Sequence, residues 1–375
     1  MDNLTHSLVG LAAAKAGLGR LSPYATVVCV AAANLPDADI VALAGGPSYY
    51  LANHRGITHS IVGTLALAVV FPFLFFAAER LWSRVRGREP RARLKGLMVC
   101  SLLLSASHPL LDWTNSYGVR PFLPWDGRWV YGDILFVVDP WVWLVTGGAC
   151  FLLTARTRPR KAAWALLALA TTLLFFLFGG RGMTEGVSLV APALWLAGLL
   201  GFVILRRRGV GERFGWKVAA SALAFVFVYC CALALMHAFA LGRAEDVARE
   251  LSSRDGSTVR RVAATPLPVD PHVWRCLAET DRATFRFDVA LGAADAWERH
   301  NSVSIEKPTG EDAALVARAS TDARAKVLLD FSRFPVARVR RSDAGGWIVQ
   351  FADLRFTEPG ARARPGSFAL DVTVQ

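Results

Sequence analysis

The sequence predicts an all-α, polytopic membrane domain over residues 1–241, a linker helix over 242–257 and a small, mostly-β domain over 258–375. Three observations predict it. Hydrophobic residues make up 54% of the chain and are concentrated before Leu241, in runs of about twenty residues, the length a helix needs to cross a bilayer. The loops between those runs carry dense basic clusters. Beyond Leu241 the pattern changes to short alternating stretches broken by turn residues, which is strand patterning.

The elements follow in order. Residues 4–18 form a short apolar helix with His6 in its first turn, too short to cross a bilayer alone. Residues 22–36 form a second modest apolar segment, stopped at Asn34-Leu35-Pro36-Asp37 because proline disfavours a helical residue before it. Residues 43–53, with Gly45-Gly46-Pro47, read as a loop. Spans are expected at 57–79, 96–112, 134–155, 162–180, 187–205 and 216–241. An aromatic loop at 113–133 carries Trp113, Trp125, Trp129 and Tyr131, which suit the headgroup level, and a small polar turn runs from Gly179 to Gly186. In the last third, strands are expected at 258–263, 284–291, 326–330, 336–341, 347–351 and 368–374, with a turn at Asp343 to Gly346.

The net charge of +12 would suggest nucleic acid if it lay on one soluble face. Much of it lies instead in the short loops 80–95, 156–161 and 206–217, where Lys and Arg set membrane topology, so no nucleic-acid partner is expected. The six cysteines lie mostly in apolar runs, and no disulfide framework is implied. Asp2 and His6 stand where a signal peptide would carry basic residues, so a cleaved leader is not expected. With the three basic loops assigned to the cytoplasm, the β-rich domain falls on the extracytoplasmic side.

The same assignment makes a prediction that did not enter it. His6, Asp37, Asp39, His54, His59, His108, Asp112 and Asp133 all fall at the extracytoplasmic ends of the predicted helices. They sit in the motifs Thr5-His6, Asn34-Leu35-Pro36-Asp37-Ala38-Asp39, His54-Arg55-Gly56-Ile57-Thr58-His59-Ser60 and His108-Pro109-Leu110-Leu111-Asp112. Ionisable groups at membrane depth are functional candidates by default. His108 and Asp112 are spaced i, i+4, on one face of a helix, and can share one cation. His59 stands at a helix N-terminus, whose free N–H groups favour an anion, and Arg55 adds a fixed charge for phosphate beside His54. Mixed His and Asp ligation suits zinc, with manganese as the alternative.

Each motif has a plainer reading. A histidine at a span end is commonly an interfacial residue, Asn-Leu-Pro-Asp a turn, and His-x-x-x-Asp a chance pairing. His237 reads as packing, and His272 and His300 lie in the soluble part. Four motifs converging on one face outweigh those readings taken singly.

This motif set resembles that of the YdjM-type inner-membrane metal-dependent hydrolases, over roughly residues 1–240. In its order His…Asp…His…His-x-x-x-Asp it is also similar to zinc-dependent bacterial phospholipase C and the fungal single-strand nucleases. The resemblance implies a phospholipase C-like helical core in a bacterial inner membrane. It implies metal ligation by His6, Asp37, His59, His108 and Asp112, with Asp39 as a further ligand or general base and His54 and Arg55 on the substrate phosphate. The implied activity is metal-dependent phosphoester hydrolysis at the extracytoplasmic face, with membrane lipids as partners and a small molecule or lipid headgroup as substrate. The phospholipases add a second helical His-x-x-x-Glu and an amino-terminal Trp, both missing here. Asp133 and Asp139 are the additional acidic candidates, for one or two ions. The rival expectation is a non-enzymatic membrane protein, either a metal transporter or an assembly factor with a structural metal. Transporters bind near the bilayer midplane, whereas these candidates gather at one end.

Overall fold

The computed structural model describes residues 1–182, 189–292, 302–343, 345–360 and 368–375. The described chain contains helices α1 (Asn3–Ala16), α2 (Ala25–Ala32), α3 (Pro47–Asn53), α4 (Ile61–Val85), α5 (Leu94–Trp113), α6 (Pro140–Thr154), α7 (Arg158–Gly182), α8 (Val190–Arg207), α9 (Val210–Phe214) and α10 (Trp216–Asp255). Strands β1 (Val259–Pro266), β2 (Val273–Thr280), β3 (Ala283–Ala290) and β4 (Val303–Glu306) follow. Helices α11 (Gly310–Ala319) and α12 (Ala323–Phe331) precede β5 (Pro335–Arg341), β6 (Trp347–Asp353) and β7 (Ala369–Val374). The chain forms two compact units, Met1–Ala38 with Arg55–Ala234 and Leu267–Pro271, and Asp39–His54 with Leu235–Pro266 and His272–Gln375.

The first unit is helical. Among the described residues, five helices are long and apolar enough to cross a membrane, over 61–85, 94–113, 158–177, 190–207 and 216–255. On α4 the side chains of Ile61, Leu65, Leu74 and Leu81 are each more than half exposed, an apolar face suited to lipid. The expected span at 134–155 is a shorter helix of 15 residues, about 22 Å long. Asp139 caps its start, accepting from the Val142 N–H at 2.9 Å, and Pro140 takes the first helical position. Residues 183–186 of the expected polar turn lie outside the described residues, and Gly179–Gly182 belong to α7.

Small residues bring α1, α2 and α5 close. Ala14, Ala25, Ala32, Ala33, Leu97 and Cys100 share one core, and a Cβ on Gly10 would stand 2.8 Å from the Cys29 carbonyl oxygen. The turn Ile57–His59 folds tightly over the start of α4. Ser60 caps that helix through the Gly63 N–H at 3.0 Å, and a Cβ on Gly63 would overlap the Ile57 carbonyl oxygen at 1.7 Å. Gly63 is therefore a requirement of the turn. All six cysteines are free.

The second unit holds two antiparallel sheets, ordered β1-β2-β3-β4 and β5-β6-β7. Trp274, Phe287 and Val289 of the first sheet pack with Ala240, Ala244 and Ala248 of α10, which runs unbroken through the stretch read as a linker helix. Several expectations change here. Residues 326–330 are helical in α12, because Asp322 caps it through the N–H groups of Arg324 and Ala325, and Ala325, Leu328 and Phe331 are buried at helical spacing. Residues 43–53 contain α3 and the end of a 3-10 stretch, with Leu51 packed on the core that α12 shares with β6 and β7. β2 escaped the sequence reading because each of its faces mixes apolar with polar residues, Trp274, Cys276 and Ala278 with Thr280 on one and Val273 and Leu277 with Arg275 and Glu279 on the other.

Replacing Gly63 with Ala should shift the Ile57–Ser60 turn and cost about 1–3 kcal/mol, the usual range for overpacking. Gly201→Ala on α8, where nothing lies within 4 Å of the added carbon, is the control. Thermal unfolding in detergent should separate the two, and equal midpoints would contradict the tight-turn account.

Candidate metal centre

Three elements deliver four polar side chains to one point. Asp37 comes from the 3-10 stretch Leu35–Gly45, His59 from the turn before α4, and His108 and Asp112 from successive turns of α5. One ligand atom from each of the four lies within 4.8 Å of all the others. His59 Nε2 is 3.1 Å from His108 Nε2, 3.3 Å from Asp37 Oδ1 and 3.3 Å from Asp112 Oδ2. His108 Nε2 is 3.4 Å from Asp37 Oδ1 and 3.5 Å from Asp112 Oδ2. Zinc bonds of about 2.0–2.1 Å in a regular tetrahedron place the ligand atoms about 3.3–3.4 Å apart. Five of the six edges match that spacing to within about 0.3 Å.

The supporting contacts orient the ligands. His108 Nδ1 lies 2.7 Å from the Ala33 carbonyl oxygen, which can only accept. The proton of a neutral ring is therefore on Nδ1, and Nε2 turns its lone pair to the cluster. His59 Nδ1 meets the Thr58 hydroxyl at 3.0 Å. Asn3 Nδ2 donates to Asp37 Oδ2 at 2.8 Å, leaving Oδ1 for the cluster. Asn34, in the same motif, is spent on structure, donating to Ser7 Oγ and the Val30 carbonyl.

Asp112 faces two ways. Oδ2 looks to His59, His108 and the Arg55 Nε at 3.1 Å, while Oδ1 looks to His6 Nε2 at 3.4 Å and contacts the buried Met1 amino group. His6 stacks on His108 with ring centroids 3.7 Å apart. It is fully buried, and neither of its ring nitrogens has a hydrogen-bond partner. Burial, and the neighbouring His108, hold the His6 imidazole well below its ordinary range, in the neutral form that ligates. Leaving buried polar nitrogens unsatisfied costs about 1–3 kcal/mol, a cost that a cation between His6 and Asp112 Oδ1 would offset. The residues fit a metal: one position among Asp37, His59, His108 and Asp112 Oδ2, and a second on the Oδ1 side with His6.

Five expected ligands, His6, Asp37, His59, His108 and Asp112, are thus brought together. Arg55 joins them by gripping Asp112, and its Nη1 donates to Asn115 Oδ1 at 2.9 Å beneath the Tyr117 ring. Asp39 and His54 pair with each other, Nδ1 to Oδ1 at 3.0 Å, with Tyr50 stacked on the His54 ring. Asp139 caps α6 and accepts from the Tyr229 hydroxyl at 3.1 Å, and neither it nor the buried Asp133 is in the four-residue group. His237 packs against the Trp274 ring at a tilt of 47°, and His300 lies outside the described residues. The Met1 amino group and Asn3 were missed, because nothing in residue spacing brings an amino terminus to a helix 111 residues away.

Elemental analysis of detergent-purified protein should find bound zinc or manganese in the wild type and none in His59→Ala or Asp112→Ala. Thr58→Val, which removes only the partner of His59, should weaken affinity about 10–100-fold. Full occupancy in both ligand variants would sink the assignment.

Comparison with known proteins agrees with the membrane reading. A Bacillus subtilis (strain 168) protein described as uncharacterized protein YfhP is 27% identical over 154 residues, covering 38% of this chain and 43% of that protein. The chain therefore spans less than half the length of that relative. No solved structure matches. Over residues 1–184, the stretch that carries every residue of the cluster, the chain matches the YdjM inner membrane protein family.

Proposed function

We propose that this protein is a membrane-bound, metal-dependent hydrolase of phosphoester bonds, with lipid headgroups or small phosphoesters as substrates and its site at the extracytoplasmic face. The observation that carries the reading is the near-tetrahedral donor set of Asp37, His59, His108 and Asp112, with the unsatisfied His6 beside it. A divalent ion held there supplies a Lewis acid for a phosphoryl oxygen and a water of lowered pKa.

The chain's own residues do the rest. Asp37 is the most exposed of the four donors, its side chain 17% accessible, so substrate approaches from its side. Arg55 keeps the Asp112 carboxylate in place and supplies a fixed positive charge for a phosphate. The Asp39–His54 pair has the form of an oriented acid–base, with the carboxylate fixing the Nδ1 side of the ring. The β-rich domain serves as an extracytoplasmic cover or interaction domain.

A second reading draws on the same donor set. Four protein ligands around one ion is the closed arrangement of a structural zinc site, whereas a catalytic one keeps a position open. That reading makes the protein an assembly factor held together by its metal.

The readings part under chelation. A catalytic centre should lose hydrolysis of a chromogenic phosphodiester or a phospholipid and regain it on adding zinc, with the thermal midpoint little changed. A structural centre should unfold when stripped and show no hydrolysis when loaded, which would overturn the enzyme proposal. His54→Ala should lower the rate about 10²–10⁴-fold, the usual worth of a general acid or base, without loss of metal. In intact cells a membrane-impermeant maleimide should label Trp125→Cys and spare Arg88→Cys, and the reverse pattern would place the site on the cytoplasmic side.

A further inference from the structure

The first unit contains a second cavity that the metal centre does not use. It lies among α6, α7 and α8 and has a volume of about 400 Å³, within the roughly 300–1,000 Å³ range of small-molecule sites. Its walls are apolar: Gly148 and Phe151 of α6, Ala168 of α7, and Leu199 and Phe202 of α8. Glycine on α6 is what lets the wall close, since a Cβ on Gly148 would stand 2.3 Å from the Phe202 ring.

The two ends of this slot differ in chemistry. One is basic, with Lys161 at the start of α7 beside Arg206 and Arg207 at the end of α8. Lys161 and Arg207 are exposed and have no ion-pair partner among the described residues. Arg206 is held by Glu212 and by the Ala155 carbonyl at 3.3 Å, yet its buried Nε donates to nothing. The other end is closed by Trp195, Trp143 and Leu8. From Lys161 to Thr171 the slot follows α7 for about 15 Å. That is half of the roughly 30 Å hydrocarbon core, the depth of one leaflet.

We propose that this slot is a binding site for an anionic membrane phospholipid, one acyl chain lying between α7 and α8 and the head phosphate held by Lys161 and Arg207. Length, apolar walls and a cationic mouth at a span end together describe an anionic amphiphile. A neutral lipid would leave Lys161 and Arg207 without a counter-ion, and a free anion would leave the slot empty. The site is separate from the metal centre. Its basic mouth is at the C-terminal end of α6, where Ala155 meets Arg206. At the other end of α6, the Trp143 indole donates to Asp2 and Thr5 on the segment that carries His6. The bound lipid is therefore a resident ligand and not the substrate of that centre.

Native mass spectrometry of the full chain tests this, after exchange into nanodiscs of equal phosphatidylglycerol and phosphatidylcholine and gentle delipidation. Wild type should retain phosphatidylglycerol preferentially. Lys161→Ala and Arg207→Ala should each lower that preference about fivefold, as expected for one basic residue at an anionic surface. Both are surface changes, and unchanged helical content by circular dichroism confirms folding. Ala168→Trp, which fills the slot, should lower retention of both lipids. Equal retention of the two lipids by wild type, or a preference that survives in the double charge variant, would overturn the proposal.

Discussion

The Asp112 carboxylate is the interaction on which the first unit's polar interior depends. A buried carboxylate is costly unless charge and hydrogen bonds surround it. Here Arg55, His6, His59, His108 and the Met1 amino group all converge on it from three segments of the chain. The demands of that one group account for features that would otherwise look unrelated. The left-handed backbone of Arg55, at φ 52°, turns its guanidinium under α5. The tight turn over Gly63 delivers His59, and the small residues of α1 and α2 let His6 and Ala33 approach His108.

The arrangement also explains why the polar groups can sit at the ends of apolar helices at all. α4 and α5 pack together along apolar lengths and expose hydrophobic side chains outward, where lipid is the natural solvent. The cluster residues His59, His108 and Asp112 lie just before the α4 N-terminus and near the α5 C-terminus, so the long apolar middle of each helix is left free of them. Function and insertion are thereby separated along the helix axis.

Much of this was legible in the sequence because membrane patterning is coarse and strong. Long apolar runs gave α4, α5, α7, α8 and the first part of α10, and the i, i+4 pair His108 and Asp112 gave its own geometry. The candidate cluster was legible because His and Asp are rare in such runs. What remained hidden depended on distance in space. The pairing of Asp39 with His54, the commitment of Asp139 to capping α6, and the Asn3 contact to Asp37 are tertiary facts with no periodic signal. In the last third, Lys326–Asp330 alternates like a strand yet folds as helix once Asp322 caps it, and β2 hides its burial pattern by mixing apolar and polar residues on each face.

The spacing of the four donors has a consequence for which ions can compete. Calcium bonds oxygen at about 2.3–2.6 Å with six to eight ligands, and magnesium demands six in an octahedron and surrenders its water reluctantly. A cage whose nitrogen and oxygen vertices stand 3.1–3.5 Å apart is too small for the first and has too few vertices for the second. Where calcium and magnesium are abundant and transition metals scarce, the two imidazoles act as a sieve. The turn that holds His59 and the helix that holds His108 at this separation would therefore bear on which ion the cluster could take, beside the donor atoms themselves.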